Sequence, residues 1–204
     1  MTVPCAMIEG RNLKEACDAD GVVRVASGET SRSVTARIGE VFDIGRAVSD
    51  IEALRTAELP TDGVPVSEGD PATGEWTGTS GPGFRIVPLW ESDALTGVYG
   101  VEWNQAEEAA AANLALVVRE LDRRWGAHRE VSMHVPLFRN QAGEPMPALF
   151  QSLCDLDCYG TLTVWGPTAT EGRWVAVSVN QCDGDAPMIM TAVISQRPIV
   201  ELPD

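Results

Sequence analysis

Positive charge is scarce in this 204-residue chain. It has 15 Lys and Arg residues against 30 Asp and Glu, a formal net charge of −15 at pH 7, and Lys14 is its only lysine. Nucleic acids and anionic membranes are bound through basic patches, so this charge argues against both as partners. Three options stay open: a basic partner protein, a cationic ligand, or a charge that serves solubility alone.

Long apolar runs and a signal sequence are also missing. No apolar stretch approaches the roughly 20 residues that span a bilayer, and residues 1–10 lack the basic region and apolar core of a secretory signal. We therefore expect a cytoplasmic protein with no membrane partner. With 44% hydrophobic residues, the chain can still bury a core, as one large domain or two small ones.

The five cysteines contain no CxxC pair and do not suggest a disulfide framework. We expect them to be reduced and mostly buried. A zinc site would have to draw on Cys154, Cys158, Cys182 and His134, whose spacing is unlike that of zinc sites. The glycines of segment 78–83 lack the lysine that a phosphate-binding loop places beside them. The sequence thus predicts no metal and no cofactor.

Residues 104–126 form the longest helical pattern in the chain. Asn104 is the predicted N-cap, with Glu107 as its capping-box partner, and Gly126 is the predicted stop. Apolar residues recur along this helix at steps of three and four, which predicts one stripe facing a sheet. The stripe consists of Ala110, Leu114, Val117, Leu121 and Trp125.

The rest of the pattern predicts two shorter helices and a set of strands. The helices are 44–57, capped by Asp43, and 148–154. The strands are 22–26, 33–38, 84–90, 96–103, 131–137, 161–165, 173–180 and 187–194. We therefore expect an α+β protein with a mainly antiparallel sheet and the helix 104–126 packed on one face.

Segment 60–83 is rich in Pro, Gly, Thr and Asp and divides the chain. It predicts a small N-terminal α+β region at 1–59, a linker or loop at 60–83, and a main α+β domain at 84–204. An exposed Trp76 would waste a large apolar surface in a free linker, so a functional loop stays open as the alternative.

Two pairs of carboxylates fall in predicted loops, Asp155 with Asp157 and Asp183 with Asp185. The second pair lacks the alternating ligands and the closing Glu of a calcium loop. The simplest interpretation is an acidic hairpin tip. The sharper one is a rim that receives Arg or Lys from another protein, with four carboxylates if the pairs meet at one end of the sheet.

A catalytic site would need a nucleophile beside a base. The set that the sequence offers is Cys158, His134, Asp155 and Asp157, and no GxSxG elbow is present. Cys158 and His134 could be adjacent in space without being adjacent in sequence, which keeps a small enzyme open as an alternative.

The C-terminal half contains three short motifs. They are Gly100-Val101-Glu102-Trp103, Arg123-Arg124-Trp125-Gly126, and Gly172-Arg173-Trp174-Val175-Ala176-Val177 running on to Ala192-Val193-Ile194. This half resembles small acidic actinobacterial proteins of the immunity type, which bind and neutralise a toxin made by the same cell. The resemblance implies a protein-binding module that engages a basic partner, and it carries no catalytic residues. A small enzyme and a structural or assembly component are the alternatives.

Overall fold

The computed structural model describes residues 39–73, 75–168 and 172–203, which belong to one compact unit. The strands predicted at 22–26 and 33–38 lie outside the described residues, as does most of the predicted N-terminal region 1–59. Over the described ranges the helices are α1 (Ile44–Thr56), α2 (Val101–Trp125), α3 (His134–Ala142) and α4 (Ala148–Asp155). The strands are β1 (Val66–Glu68), β2 (Gly78–Gly81), β3 (Phe84–Glu91), β4 (Arg129–Val131), β5 (Leu162–Trp165), β6 (Trp174–Gln181) and β7 (Met188–Ser195).

All seven strands form one sheet in the order β1-β2-β3-β7-β6-β5-β4, and every neighbouring pair is antiparallel. The three eight-residue strands β3, β7 and β6 form its centre, and the three-residue strands β1 and β4 form its edges. The α+β class and the antiparallel sheet with a long packed helix are therefore confirmed.

Helix α2 is the predicted long helix, but it begins at Val101 instead of after Asn104. Gly100 precedes it with a φ of 59°, and the Gly100 carbonyl accepts the first helical hydrogen bond, from Asn104 N at 3.0 Å. The capping box with Glu107 is therefore wrong, whereas the stop at Gly126 is confirmed. The predicted stripe packs on the core, with Ala110, Val117 and Leu121 fully buried and Leu114 and Trp125 partly buried.

Two predicted strands are wrong because local turns interrupt them. In 96–103, Gly97 and Gly100 both adopt positive φ and the chain turns directly into α2. In 131–137, strand β4 ends at Val131, and the Ser132 hydroxyl accepts a hydrogen bond from His134 N at 3.1 Å as α3 begins. Pro136 is tolerated there because the first turn of a helix needs no intrahelical N–H donor.

Segment 60–83 belongs to the sheet and does not act as a linker. It supplies β1, β2 and a short 3₁₀ turn, Pro71–Thr73. Trp76 is buried, and its indole N–H donates to Thr79 Oγ1 at 3.1 Å. A run of Pro and Gly here marks tight turns between short strands, which composition alone does not distinguish from a flexible connection.

The other predicted elements match the structure closely. Asp43 caps α1 by accepting a hydrogen bond from Arg46 N at 3.0 Å. Helix α4 and strands β3, β5, β6 and β7 fall within two residues of their predicted bounds, and β5 pairs with β6 in antiparallel orientation.

The two sides of the sheet bury different kinds of residue. We call the side under α1 and α2 the front face; from β6 and β7 it presents Val175, Val177, Val179, Met188, Met190, Ala192 and Ile194. We call the opposite side the back face; alternation along the same strands gives it Trp174, Ala176, Ser178, Asn180, Ile189, Thr191, Val193 and Ser195. Helix α4 packs over the back face, and α3 packs against α4.

Candidate functional site

The two predicted Asp pairs lie at the same end of the sheet. Asp155 ends α4 and Asp157 lies in the turn after it, while Asp183 and Asp185 lie in the hairpin between β6 and β7. Asp155, Asp157 and Cys182 line one open pocket of about 340 Å³. Since Asp183 directly follows Cys182, the fold brings both pairs to one rim.

Two further carboxylates join this rim. Asp70 lines the same pocket. Asp93 lies in the loop after β3 and lines a second pocket, on the α2 side, and the same loop meets the β6–β7 hairpin where Leu95 N donates to the Asp185 carbonyl at 3.2 Å. We define the acidic edge as six exposed side chains: Asp70, Asp93, Asp155, Asp157, Asp183 and Asp185. Sequence reasoning missed the first two because Asp70 lies in the segment predicted as a linker or loop and Asp93 lies between two predicted strands, and only the sheet order brings them to the same end as the others.

Neutral groups contact the carboxylates of the acidic edge. Asp155 Oδ1 accepts a hydrogen bond from Gln151 Nε2 at 2.8 Å, and Asp70 Oδ1 accepts one from Ala72 N at 2.8 Å. Over the described ranges, no Lys, Arg or His forms an ion pair with any of the six. Their negative charge therefore faces solvent without a cation from these ranges.

The turn after α4 fixes the position of Asp157. Cys158 N donates to the Leu153 carbonyl at 2.8 Å and Leu156 N to the Ser152 carbonyl at 3.2 Å, which closes the helix end. Asp157 adopts a positive φ of 52°, a conformation in which Asp is enriched among residues other than glycine. Its exposed side chain is thus presented from an ordered turn.

The cysteines near the acidic edge are held as thiols. Burial raises the pKa of Cys154 to about 11, and the charges of Asp155 and Asp157 add to that rise. The neighbouring Cys182 side chain, followed by burial, raises the pKa of Cys158 well above its ordinary value. Since the thiolate is the nucleophile, neither buried thiol is activated for catalysis at neutral pH.

The predicted catalytic set is not assembled. His134 is exposed at the first position of α3, where its ring lies edge-on to Phe138 with 4.6 Å between centroids. Cys158 is buried in the core of the back face. Within the described residues, no hydrogen bond or ion pair joins His134 to Cys158, Asp155 or Asp157.

A buried carboxylate that sequence reasoning missed lies at the end of β3. The β3–β7 register shifts between Pro88 and Trp90, and Glu91 then lies opposite Ile189 on the back face. Glu91 is fully buried, and its two carboxylate oxygens have no hydrogen-bond partner in the described part of the chain. Burial raises the pKa of Glu91 to about 7. The signal that could have revealed it is a charged residue that directly follows the apolar run from Ile86 to Trp90.

A row of polar side chains crosses the back face beside Glu91. Asn180 Nδ2 donates to Ser178 Oγ at 2.9 Å and to Thr191 Oγ1 at 3.1 Å, and those two hydroxyls are 2.9 Å apart. Asn180 Oδ1 accepts a hydrogen bond from Gly160 N at 2.9 Å. These buried groups satisfy one another, in contrast to the Glu91 carboxyl.

Within the described ranges, the structure shows neither a metal site nor a membrane-spanning helix. No group of three or more His, Cys, Asp or Glu side chains in the described ranges is arranged to hold a metal ion. In the same ranges no helix combines the length and apolarity needed to cross a membrane. In comparisons with known proteins, no family model, curated protein or solved structure matches this chain. What the chain does must therefore be inferred from its own surfaces.

Proposed function

We propose that this chain is a protein-binding module whose acidic edge engages a basic surface of another protein, as an immunity-type inhibitor does. The observation that carries the proposal is the acidic edge itself, where four separate segments bring six exposed carboxylates together. Such a rim suits the guanidinium and ammonium groups of a partner, which form charge-assisted hydrogen bonds with carboxylates.

Some glutamates elsewhere on the surface have local cations. Glu120 lies 2.7 Å from Arg123 and 2.8 Å from Arg124, and Glu40 lies 2.6 Å from Arg46. Exposed glutamates such as Glu107 and Glu108 on α2 also form no ion pair in the described ranges, so a lack of cations does not by itself distinguish the acidic edge. The acidic edge differs in that four segments of the chain bring its carboxylates to one end of the sheet, and this clustering favours a role in binding.

Electrostatic steering gives the proposal a kinetic signature. Uncompensated charges of one sign accelerate encounter with an oppositely charged partner, and salt screens that effect. Charges at the rim of an interface act mainly on the association rate, whereas buried ones act mainly on dissociation.

The test is to capture the partner from a lysate of the native host and to measure its association rate at low and at physiological salt. We expect the wild-type rate to fall steeply as salt rises. Asp183→Asn with Asp185→Asn should lower the low-salt rate several-fold and flatten the salt dependence. The unfolding free energy should stay within about 0.5 kcal/mol of wild type, because exposed carboxylates contribute little to the fold.

A matched control separates the acidic edge from net charge. Glu107→Gln with Glu108→Gln removes the same two charges from the exposed surface of α2, away from the acidic edge. This control should bind like wild type. Equal slowing by both double variants would assign the effect to net charge, and a rate insensitive to salt and to both variants would remove the proposal.

A further inference from the structure

An extension of the β5–β6 register beyond its last strand pair brings Cys158 opposite Cys182. The antiparallel register pairs Thr163 with Val177, and extending it toward the acidic edge sets residue 158 against residue 182. The bond from Gly160 N to Asn180 Oδ1 at 2.9 Å shows that the chains stay together beyond the last strand pair.

The backbones are close along this extension. A Cβ added at Gly160 would collide with the Val179 carbonyl oxygen, so the strand approaches as only glycine allows. Residues directly opposite in antiparallel strands have Cα atoms about 4.5–5.5 Å apart. Disulfides span Cα separations of about 4.4–6.8 Å, so this position matches their geometry.

The two side chains also share one environment. Cys158 is buried in the core of the back face, and Cys182 packs against that same core. The Cys182 side chain contributes most to the raised pKa of Cys158, as expected for two neighbouring thiols. Cys154 belongs to the same core but is a residue of α4, outside the hairpin register.

Access differs between the two thiols. Cys182 is partly exposed and lines the open pocket beside Asp155 and Asp157, whereas Cys158 lies beneath the surface. A small oxidant in the pocket therefore reaches Cys182 first, and Cys158 stands behind it. This is the arrangement of an accessible sulfur with a resolving partner.

We propose that Cys158 and Cys182 form a redox-active thiol pair that closes into a reversible disulfide when a small peroxide enters this pocket. This modification site is independent of the proposed binding function.

The reaction balances in two steps. In the first, Cys182 sulfur attacks one oxygen of hydrogen peroxide, the O–O bond breaks, and the thiol proton passes to the departing hydroxide, so that Cys182 becomes a sulfenic acid and one water leaves. In the second, Cys158 sulfur attacks the Cys182 sulfur, its proton passes to the departing hydroxyl, and a second water leaves. Each sulfur gives up one electron, and the peroxide takes up both.

The carboxylates around the pocket select the kind of oxidant. Asp70, Asp155 and Asp157 give the entrance a negative potential, which disfavours anionic disulfides such as oxidised glutathione. Hydrogen peroxide is uncharged and meets no such barrier. Oxidation of the pair should therefore be faster with hydrogen peroxide than with oxidised glutathione at equal concentration.

The test uses the reduced full chain treated with hydrogen peroxide, blocked with a maleimide, and digested with trypsin and an Asp-specific protease. Cleavage before Asp155 and Asp157 separates Cys154 from Cys158, so mass spectrometry can assign every bridge. We expect one cross-linked peptide pair joining Cys158 to Cys182, two hydrogens lighter than the separate peptides, and lost on treatment with a dithiol reductant.

Single variants sharpen the assignment. Cys158→Ser and Cys182→Ser should each abolish the cross-link, and Cys154→Ser should leave it intact. A sulfenic-acid trap should label Cys182 in Cys158→Ser and should leave Cys158 unlabelled in Cys182→Ser. The wild-type map alone decides the outcome if a serine at the buried position unfolds the chain. Absence of the 158–182 bridge, or a bridge from Cys182 to Cys154, would overturn the proposal.

Discussion

The front and back faces of the sheet are built from the same strands, yet they bury different chemistry. On β6 and β7 the front face under α1 and α2 is apolar except for Gln181, the last residue of β6. The back face alternates Ala176 and Val193 with Ser178, Asn180 and Thr191, and it ends at Glu91. The front face therefore forms a hydrophobic core, whereas the back face buries polar side chains as well.

The difference follows from what covers each face. Helix α2 has 25 residues and lies along the front face with α1, which excludes water from the middle of the sheet. The back face is covered by α4, which has eight residues, together with loops. Because the covering helix is short, the back face has room for polar side chains that form hydrogen bonds with one another. The acidic edge and the thiol pair lie at the polar end of this face.

The contrast extends to the surface. Arg123 and Arg124 neutralise Glu120 on α2, and Arg55 lies 3.2 Å from Glu52 on α1. At the acidic edge, by contrast, no cation from the described ranges is in reach. In the described ranges, the ion pairs therefore all involve residues of α1 or α2, and none lies at the acidic edge.

The largest expected effect concerns the packing of α2 on the front face. Leu121→Ala removes a fully buried side chain of α2 from the front core, and we expect a loss of about 2–5 kcal/mol in unfolding free energy. Leu116→Ala on the same helix is the control, since Leu116 is 36% exposed and should cost less than about 1 kcal/mol. Urea unfolding measures both. Similar losses at the two sites would mean that α2 does not close the front core.

The second effect tests Glu91, and its sign depends on pH. The folded pKa of about 7 lies above the ordinary value of 4.5, so the protonated form is the one that the fold favours. The contribution of the Glu91 carboxyl to the free energy of unfolding is fully present below pH 4.5. It is lost as pH rises through 7, and the loss reaches about 3 kcal/mol. Glu91→Gln should therefore be more stable than wild type at pH 8 and nearly equal to it at low pH.

Urea unfolding of wild type and Glu91→Gln at pH 8 and pH 4.5 checks this. Glu107→Gln, an exposed glutamate on α2, serves as the control for loss of one charge. A variant less stable than wild type at pH 8 would show that the Glu91 carboxylate is ionised and paired in the folded protein. The back face would then hold a buried charge, and its difference from the front face would be larger still.

The smallest expected effect concerns the polar row, the hydrogen-bonded side chains of Ser178, Asn180 and Thr191 on the back face. Ser178→Ala removes a hydroxyl that bonds Thr191 and Asn180, and Asn180 keeps its bond to Thr191. We expect a loss of about 1 kcal/mol in unfolding free energy. Ser49→Ala on the exposed side of α1 should change it by less than about 0.5 kcal/mol. If Ser178→Ala leaves stability unchanged, the polar row does not stabilise the back face.

Much of the fold could be predicted because the deciding signals are local. The cap at Asp43, the apolar stripe from Ala110 to Trp125 and the turn residues between β5 and β6 each act within a few residues. The same limit explains the errors. The pattern of residues 101–103 and 134–137 favours strands, but Gly100 and Ser132 start helices there through single local contacts.

The candidate site was predictable only to a limited extent. The sequence identified Asp155, Asp157, Asp183 and Asp185 as loop carboxylates, since each pair borders predicted elements. Their meeting at one end, and the addition of Asp70 and Asp93, depend on how distant strands are ordered in the sheet. Sequence separation says little about that order, because the entropy of closing a loop changes only slowly with its length.

The acidic character, the α+β class and most helices and strands follow from the sequence alone, because composition and periodicity act residue by residue. Which polar groups are buried depends instead on how the strands pair in three dimensions. A register shift between Pro88 and Trp90 places Glu91 on the back face opposite Ile189, and an extension of the β5–β6 register sets Cys158 opposite Cys182. Both arrangements require another strand, and a one-residue change of register would send each side chain to the other face.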